Sequence, residues 1–283
     1  MNYVEEACVF PVAGERLLGI VARPDVPQDC GVLIVVGGPQ YRVGSHRHFL
    51  LLARSLAAQG YPVMRFDYRG MGDSEGGARD FLQVSDDISA AIDALISACP
   101  GVRRVVLWGL CDAASAALLY VDAHSDSRVV GLALLNPWVR SEASLARTHL
   151  KHYYGQRLLQ REFWRKLFGG GVNPFASIRG FVANLCCAGG TKEERDSQDS
   201  FQERMAKGLR EFSGEVLLIL SGQDYTAKEF LEFAGTNANW SGLLDDKKIS
   251  RVDLSEADHT FSSEVHRLAV ESHTLSWLGN RLA

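Results

Sequence analysis

The 283-residue chain is 46% hydrophobic and 23% charged, a balance that suits a core of enzyme size. A formal charge of −4 with scattered lysines and arginines excludes a general nucleic-acid or membrane-surface role. No apolar run reaches the 18 or so residues of a spanning helix, and MNYVEEACVF reads as neither a signal nor a transit peptide, so a cytoplasmic location is the expectation.

In chain order, segments around 4–11 and 15–23 read as an antiparallel edge hairpin across AGER. GVLIVV (31–36) is a buried-strand run, FLLLARSLAAQG (49–60) has helical spacing, and YPVMRFD (61–67) is a second strand. DFLQVSDDISAAIDALISA (80–98) is an amphipathic helix, RRVVLWG (103–109) a strand, CDAASAALLYVDA (111–123) a helix and VVGLALLN (129–136) a strand. Later come GEVLLILSG (214–222), TAKEFLEFA (226–234), KKISRVDLS (247–255) and a C-terminal helix over 262–282. Strands alternating with helices predict an α/β fold with a mostly parallel sheet of eight strands flanked by helices.

From Trp138 to about Phe212 no strong strand pattern occurs. This region is expected to be a helical cap insertion (138–212) in a core formed by 1–137 and 213–283. Tyr153, Tyr154, Phe163, Trp164 and Phe168 either line an apolar pocket there or pack the cap, and polar 189–200 reads as a loop.

In open α/β sheets ligands bind beyond the carboxyl ends of the strands. The loops there hold a thiol, an acid and an imidazole in the order Cys111, Asp224, His259. That is the α/β-hydrolase order of nucleophile, acid and histidine. Cys111 sits in G-L-C-D-A, a strand-to-helix turn of the G-x-S-x-G kind with cysteine for serine and Ala113 for the second glycine. A helix N-terminus there favours the thiolate, the reactive form. Asp258, Asp245 and Asp246 are rivals of Asp224 for the acid.

RFDYRGMGDSEG (65–76) resembles the D-x-R-G-x-G-x-S loop of the α/β-hydrolase superfamily, and the likeness runs over almost the full chain. GGPQYRVGSHRHF together with GLCDA resembles a narrower group, the type 1 hydrolases associated with the bacterial exosortase A system and exopolysaccharide clusters. The cysteine elbow is also similar to that of dienelactone hydrolases and some acyl-CoA acyltransferases. The resemblance implies Cys111 as nucleophile, His259 as base and Asp224 as the acid that orients it. It implies an oxyanion hole from the Asp112 backbone N–H and a donor in the loop after the first buried strand. That loop reads Gly37-Gly38-Pro39; proline has no N–H, so the donor falls to Gln40, by backbone or side-chain amide.

Asp67, Arg69, Gly70 and Gly72 read as an architectural turn with an Asp–Arg ion pair. Arg42, His46, Arg47 and His48 are either a solvated basic loop or an anion pocket for a substrate carboxylate or phosphate. No metal is expected: neither His46 with His48 nor His149 with His152 has a carboxylate or cysteine ligand near in sequence. Cys186-Cys187 and the remaining cysteines read as packing. The expected activity is cleavage of a small-molecule ester or thioester through an acyl-Cys111 intermediate, with no cofactor. Acyl transfer by the same thiol, and a non-catalytic binding protein on a hydrolase scaffold, are the alternatives.

Overall fold

The structure is a computed structural model that describes residues 2–38, 40–140 and 200–282. Met1–Val139 and Ser200–Ala283 form one compact unit. Its eight-stranded sheet runs in the order β1-β2-β4-β3-β5-β6-β7-β8. The strands are β1 (Tyr3–Val12), β2 (Glu15–Pro24), β3 (Cys30–Val35), β4 (Val63–Phe66), β5 (Arg104–Leu110), β6 (Val129–Leu135), β7 (Glu215–Ser221) and β8 (Ile249–Leu254). β1 and β2 form the expected hairpin, β2 pairs antiparallel with β4, and the six strands from β4 to β8 pair in parallel.

Parallel strands buried on both faces read as continuous apolar runs, because each side-chain set needs a helix layer over it. In β5, Val105 and Leu107 face one core while Val106, Trp108 and Leu110 face the other. The first core is covered by α2 (Ser85–Ala98), α3 (Asp112–Ala123), α4 (Phe201–Glu211) and α5 (Tyr225–Thr236). The second is covered by α1 (His48–Ala58) and α6 (Glu264–Arg281). The helix expected over 80–98 is broken: Asp80 accepts the Leu82 N–H and caps a short 3-10 turn at Phe81–Gln83, and α2 starts only at Ser85.

α4 lies inside the stretch expected as a cap. It begins at a capping box in which Ser200 and Glu203 satisfy each other's backbone N–H groups. It packs on the first core through Met205, Ala206 and Leu209, and Arg204 pairs with Asp122 of α3. The aromatics Tyr153, Tyr154, Phe163, Trp164 and Phe168, the His149–His152 pair, Cys186-Cys187 and the loop from 189 lie outside the described residues, apart from Ser200. Among the described residues no helix is long and apolar enough to cross a membrane.

Candidate active site

Cys111 follows β5 directly and caps the N-terminus of α3 with φ 63° and ψ −124°. A non-glycine residue at positive φ is sterically costly and is held only where the surroundings over-determine it. Here the Cys111 N–H donates to the Leu135 carbonyl at 2.8 Å, and its carbonyl accepts from Ala114 at 3.1 Å. The turn is so tight that a Cβ on Gly109 would lie 2.6 Å from the Ala113 backbone. Ala113, in place of the second glycine, is itself accommodated at 1% exposure.

Asp224 follows β7 and caps α5, accepting the N–H groups of Thr226 at 3.0 Å and Ala227 at 3.2 Å. His259 follows β8, with Nδ1 2.8 Å from Asp224 Oδ2. The same imidazole lies close enough to the Cys111 side chain for the sulfur to contribute to its upward shift. The sheet thus brings together three residues separated by 113 and 35 positions (224 − 111, 259 − 224). The hydrogen bond to Asp224 and then the interaction with Cys111 outweigh burial and push His259 up to about 10. Burial raises the Asp224 carboxyl, but the bond to His259 and the two helix N–H groups overcome this and leave it lowered. Asp258 is turned away, capping Ser262 through that residue's N–H and hydroxyl.

Of the other described thiols, Cys8, Cys99 and Cys30 are all pushed up by burial, Cys30 to about 11. None of these three sits at a helix N-terminus, and burial disfavours their thiolate form.

The loop after β3 lies against the elbow. Gly38 N–H donates to Asp112 Oδ2 at 2.9 Å. A Cβ on Gly37 would lie 2.2 Å from Asp112 Oδ1, so only glycine admits that carboxyl. The backbone N–H of Gln40 donates to the Gly38 carbonyl at 2.8 Å and is therefore spent. Its side-chain Oε1 accepts from Ser45 N–H at 2.9 Å and Ser45 Oγ at 3.2 Å. Of the two routes expected for Gln40, the backbone one is closed in this geometry, and Nε2 is the group left to donate.

Arg42 does not stand free as an anion-binding group. Its backbone N–H donates to Asp67 Oδ1 at 2.6 Å, and its guanidinium pairs with Asp67 and with Asp73. The ion pair expected of the Asp67 turn therefore forms with Arg42, while Arg69 pairs with Asp87. His46 and Arg47 are exposed on consecutive left-handed residues, φ 53° and 62°. His48 has left that loop for the core: it opens α1, packs with Phe49, Trp108 and Phe261, and burial lowers it to about 4. Among the described residues no group of His, Cys, Asp or Glu is arranged to hold a metal ion.

Asn136, which the sequence marks only as the end of the strand run 129–136, is fully buried beside these loops. Its one signal in the sequence is asparagine at a strand end, a residue that tolerates positive φ; the value here is 44°.

A mostly parallel sheet with an elbow after β5, an acid after β7 and a histidine after β8 is the architecture of the α/β-hydrolases. Residues 29–171 match the family model described as serine aminopeptidase, S33, and the chain belongs to that hydrolase family. A comparison with curated protein sequences finds no match. Among solved structures, the chain is similar to the esterase Pf2001 of Pyrococcus furiosus, with a TM-score of 0.66 at 14% identity, covering 100% of this chain and 92% of that one. Est1E of Butyrivibrio proteoclasticus, solved with ferulic acid, gives 0.62 at 16%, covering 96% and 99%. An alpha-beta serine hydrolase homologue from Coxiella burnetii gives 0.56 at 14%, covering 96% and 97%. At these identities the likeness is one of fold.

Proposed function

We propose that the protein cleaves a carboxylic ester or thioester through an acyl-Cys111 intermediate. The observation that carries this reading is His259, hydrogen-bonded to Asp224 at 2.8 Å and near enough to Cys111, on the nucleophile turn, for the thiol to help raise it. In this reading the attacking group is the Cys111 thiolate paired with the His259 imidazolium, the charged form that the Asp224 contact favours. The sulfur attacks the carbonyl carbon and forms the S–C bond, and the carbonyl π pair moves to oxygen. On collapse the C–O or C–S bond to the leaving group breaks, and His259 gives its proton to the departing alcohol or thiol. Water then attacks the thioester, His259 takes its proton, and the carboxylic acid leaves with Cys111 restored. A thiolate leaves a tetrahedral intermediate more readily than an amine does, which favours ester and thioester substrates over amides. Acyl transfer differs only in the acceptor that attacks acyl-Cys111.

The Asp112 backbone N–H and Gln40 Nε2 are the oxyanion donors in this reading, with Ser45 fixing the Gln40 amide through Oε1. His46 and Arg47 are the basic groups open to a substrate anion, since Arg42 is held by Asp67. In this reading the substrate is a small-molecule acyl ester or thioester, and the resemblance to exosortase-associated hydrolases is what would link it to bacterial exopolysaccharide metabolism.

The test is iodoacetamide labelling mapped by mass, joined to a panel of aryl esters and acyl-CoA thioesters of graded chain length. Selective labelling of Cys111, turnover of at least one panel member, and loss of that turnover in Cys111→Ala are expected. Labelling of Cys111 no faster than that of Cys8, with no turnover, would leave a binding scaffold as the better description.

A further inference from the structure

The end of β6 and the short segment after it touch the backbone around all three members of the site. Leu135 accepts the Cys111 N–H at 2.8 Å, and the Trp138 N–H donates to the Cys111 carbonyl at 3.3 Å. Trp138 is fixed in turn by Ser115, whose Oγ lies 2.9 Å from the Trp138 nitrogen and 2.6 Å from its oxygen. Between these anchors sits Asn136, with 0% exposure. Its Oδ1 accepts the Ser221 N–H at 2.9 Å, and its Nδ2 donates to Ser221 Oγ at 2.9 Å and to the His259 carbonyl at 3.1 Å. Ser221 Oγ then donates to the Asp258 carbonyl at 2.9 Å. The amide cannot be turned over, because the Ser221 backbone N–H can only donate and needs the oxygen opposite it.

The loops bearing Asp224 and His259 have left the sheet where they meet the site. Gly222 N–H to Leu254 and Gln223 N–H to Ala257 join them up to Ala257. Beyond that point, apart from the His259–Asp224 contact itself, the links from residues 258 and 259 toward the acid arm run through Ser221 and Asn136. A fully buried amide with every polar atom satisfied, on backbone at φ 44°, is a costly arrangement that apolar packing would not call for.

We infer that Asn136 is a positioning residue for the histidine and acid arms: its amide registers the His259 backbone against Ser221, three residues before Asp224, from a segment bonded to Cys111. This rests on the Cys111–His259–Asp224 reading. A side-chain tie placed there sets the imidazole against the sulfur, and misplacement of a catalytic group by about 1 Å costs on the order of a hundredfold in rate.

Asn136→Gly removes the amide while keeping a residue that accepts the backbone angle. The full chain, Asn136→Gly and His259→Ala are compared by the pH profile of Cys111 alkylation with iodoacetamide, read by mass, and by kcat and KM on the ester found in the panel. The expected result is that His259→Ala moves the profile to higher pH and Asn136→Gly moves it part of the way, with about a tenfold or greater fall in kcat and little change in KM. A merely structural role would lower the melting temperature and leave the profile in place. If His259→Ala shifts the profile and Asn136→Gly superposes on the unmodified chain, the positioning role is overturned and the triad stands. If His259→Ala shifts nothing, the triad reading itself falls and takes the positioning role with it. Should Asn136→Gly not fold, Ser221→Ala, which removes only the hydroxyl linking Asn136 to Asp258, carries the same comparison with a smaller shift expected.

Discussion

Gly38 donates its backbone N–H to Asp112 Oδ2 across 74 positions of sequence, tying the loop after β3 to the residue that follows the cysteine. Burial raises the Asp112 carboxyl above the usual range, and the Gly38 N–H offsets this only in part. Its other oxygen is buried with no hydrogen-bond partner. An acid raised in the fold ionises first in the unfolded chain, so its contribution is full below about 4 and declines as pH rises. Asp112→Asn keeps an acceptor for Gly38 and is expected to be more stable than the unmodified chain at pH 7, the gap closing below about pH 4. Asp112→Ala frees the loop and is expected to lower kcat by about tenfold or more. Denaturation at several pH values and ester kinetics read the two effects separately.

The Asp224–His259 contact has a pH signature on both sides. Asp224 is lowered, so its contribution is present above the unfolded value of about 3.9 and is lost as pH falls through the folded one. His259 is raised to about 10, so its contribution is full below about 6.5 and is lost as pH rises through about 10. The destabilisation caused by Asp224→Asn should therefore be greatest between about pH 4 and 6.5 and shrink in either direction. An NMR titration should find the His259 imidazolium persisting toward pH 10, and falling back toward the ordinary histidine range in Asp224→Asn. A ring that titrates near 6.5 in the unmodified chain would contradict the geometry.

Arg42→Ala separates an anion pocket from an architectural ion pair. Asp67 has no exposed surface and loses its cation in this variant, a change worth about 3–5 kcal/mol when a buried partner is stranded. The expected outcome is a marked fall in the denaturation midpoint. A stable variant whose only change is a higher KM for an anionic substrate would restore the pocket reading.

The two glycine positions of the elbow are not equivalent. Gly109→Ala puts a Cβ 2.6 Å from the Ala113 backbone and should cost at least about 1–3 kcal/mol, with loss of activity as the turn opens. Ala113→Gly restores the sequence pattern but only removes a buried methyl from α3, so it should cost about 1 kcal/mol and leave kcat unchanged. Thermal melts and kinetics of the pair check both halves.

The alternation of strands and helices, the mostly parallel sheet and the positions of Cys111, Asp224 and His259 in loops after strands are legible because each rests on local pattern: apolar runs, helical spacing and the residues that follow a strand. What escaped depends on side chains meeting across long separations. Arg42 reads as a loop cation until Asp67, on the neighbouring strand end, is seen to accept both its backbone and its guanidinium. His48 reads as part of the same basic loop until α1 carries it between Trp108 and Phe261. Asn136 has no periodicity or motif to mark it, since its meaning lies in Ser221 and in the His259 carbonyl, 85 and 123 residues away.

Cys111 is presented by its backbone, with φ at 63° and the N–H and carbonyl both engaged, and nothing in that support depends on sulfur. The same turn would display an oxygen in the same place. The cysteine of a chain whose family takes its description from serine is thus a single-atom exchange at a fixed mount, and Cys111→Ser would ask how far reactivity follows the element while the scaffold stays constant.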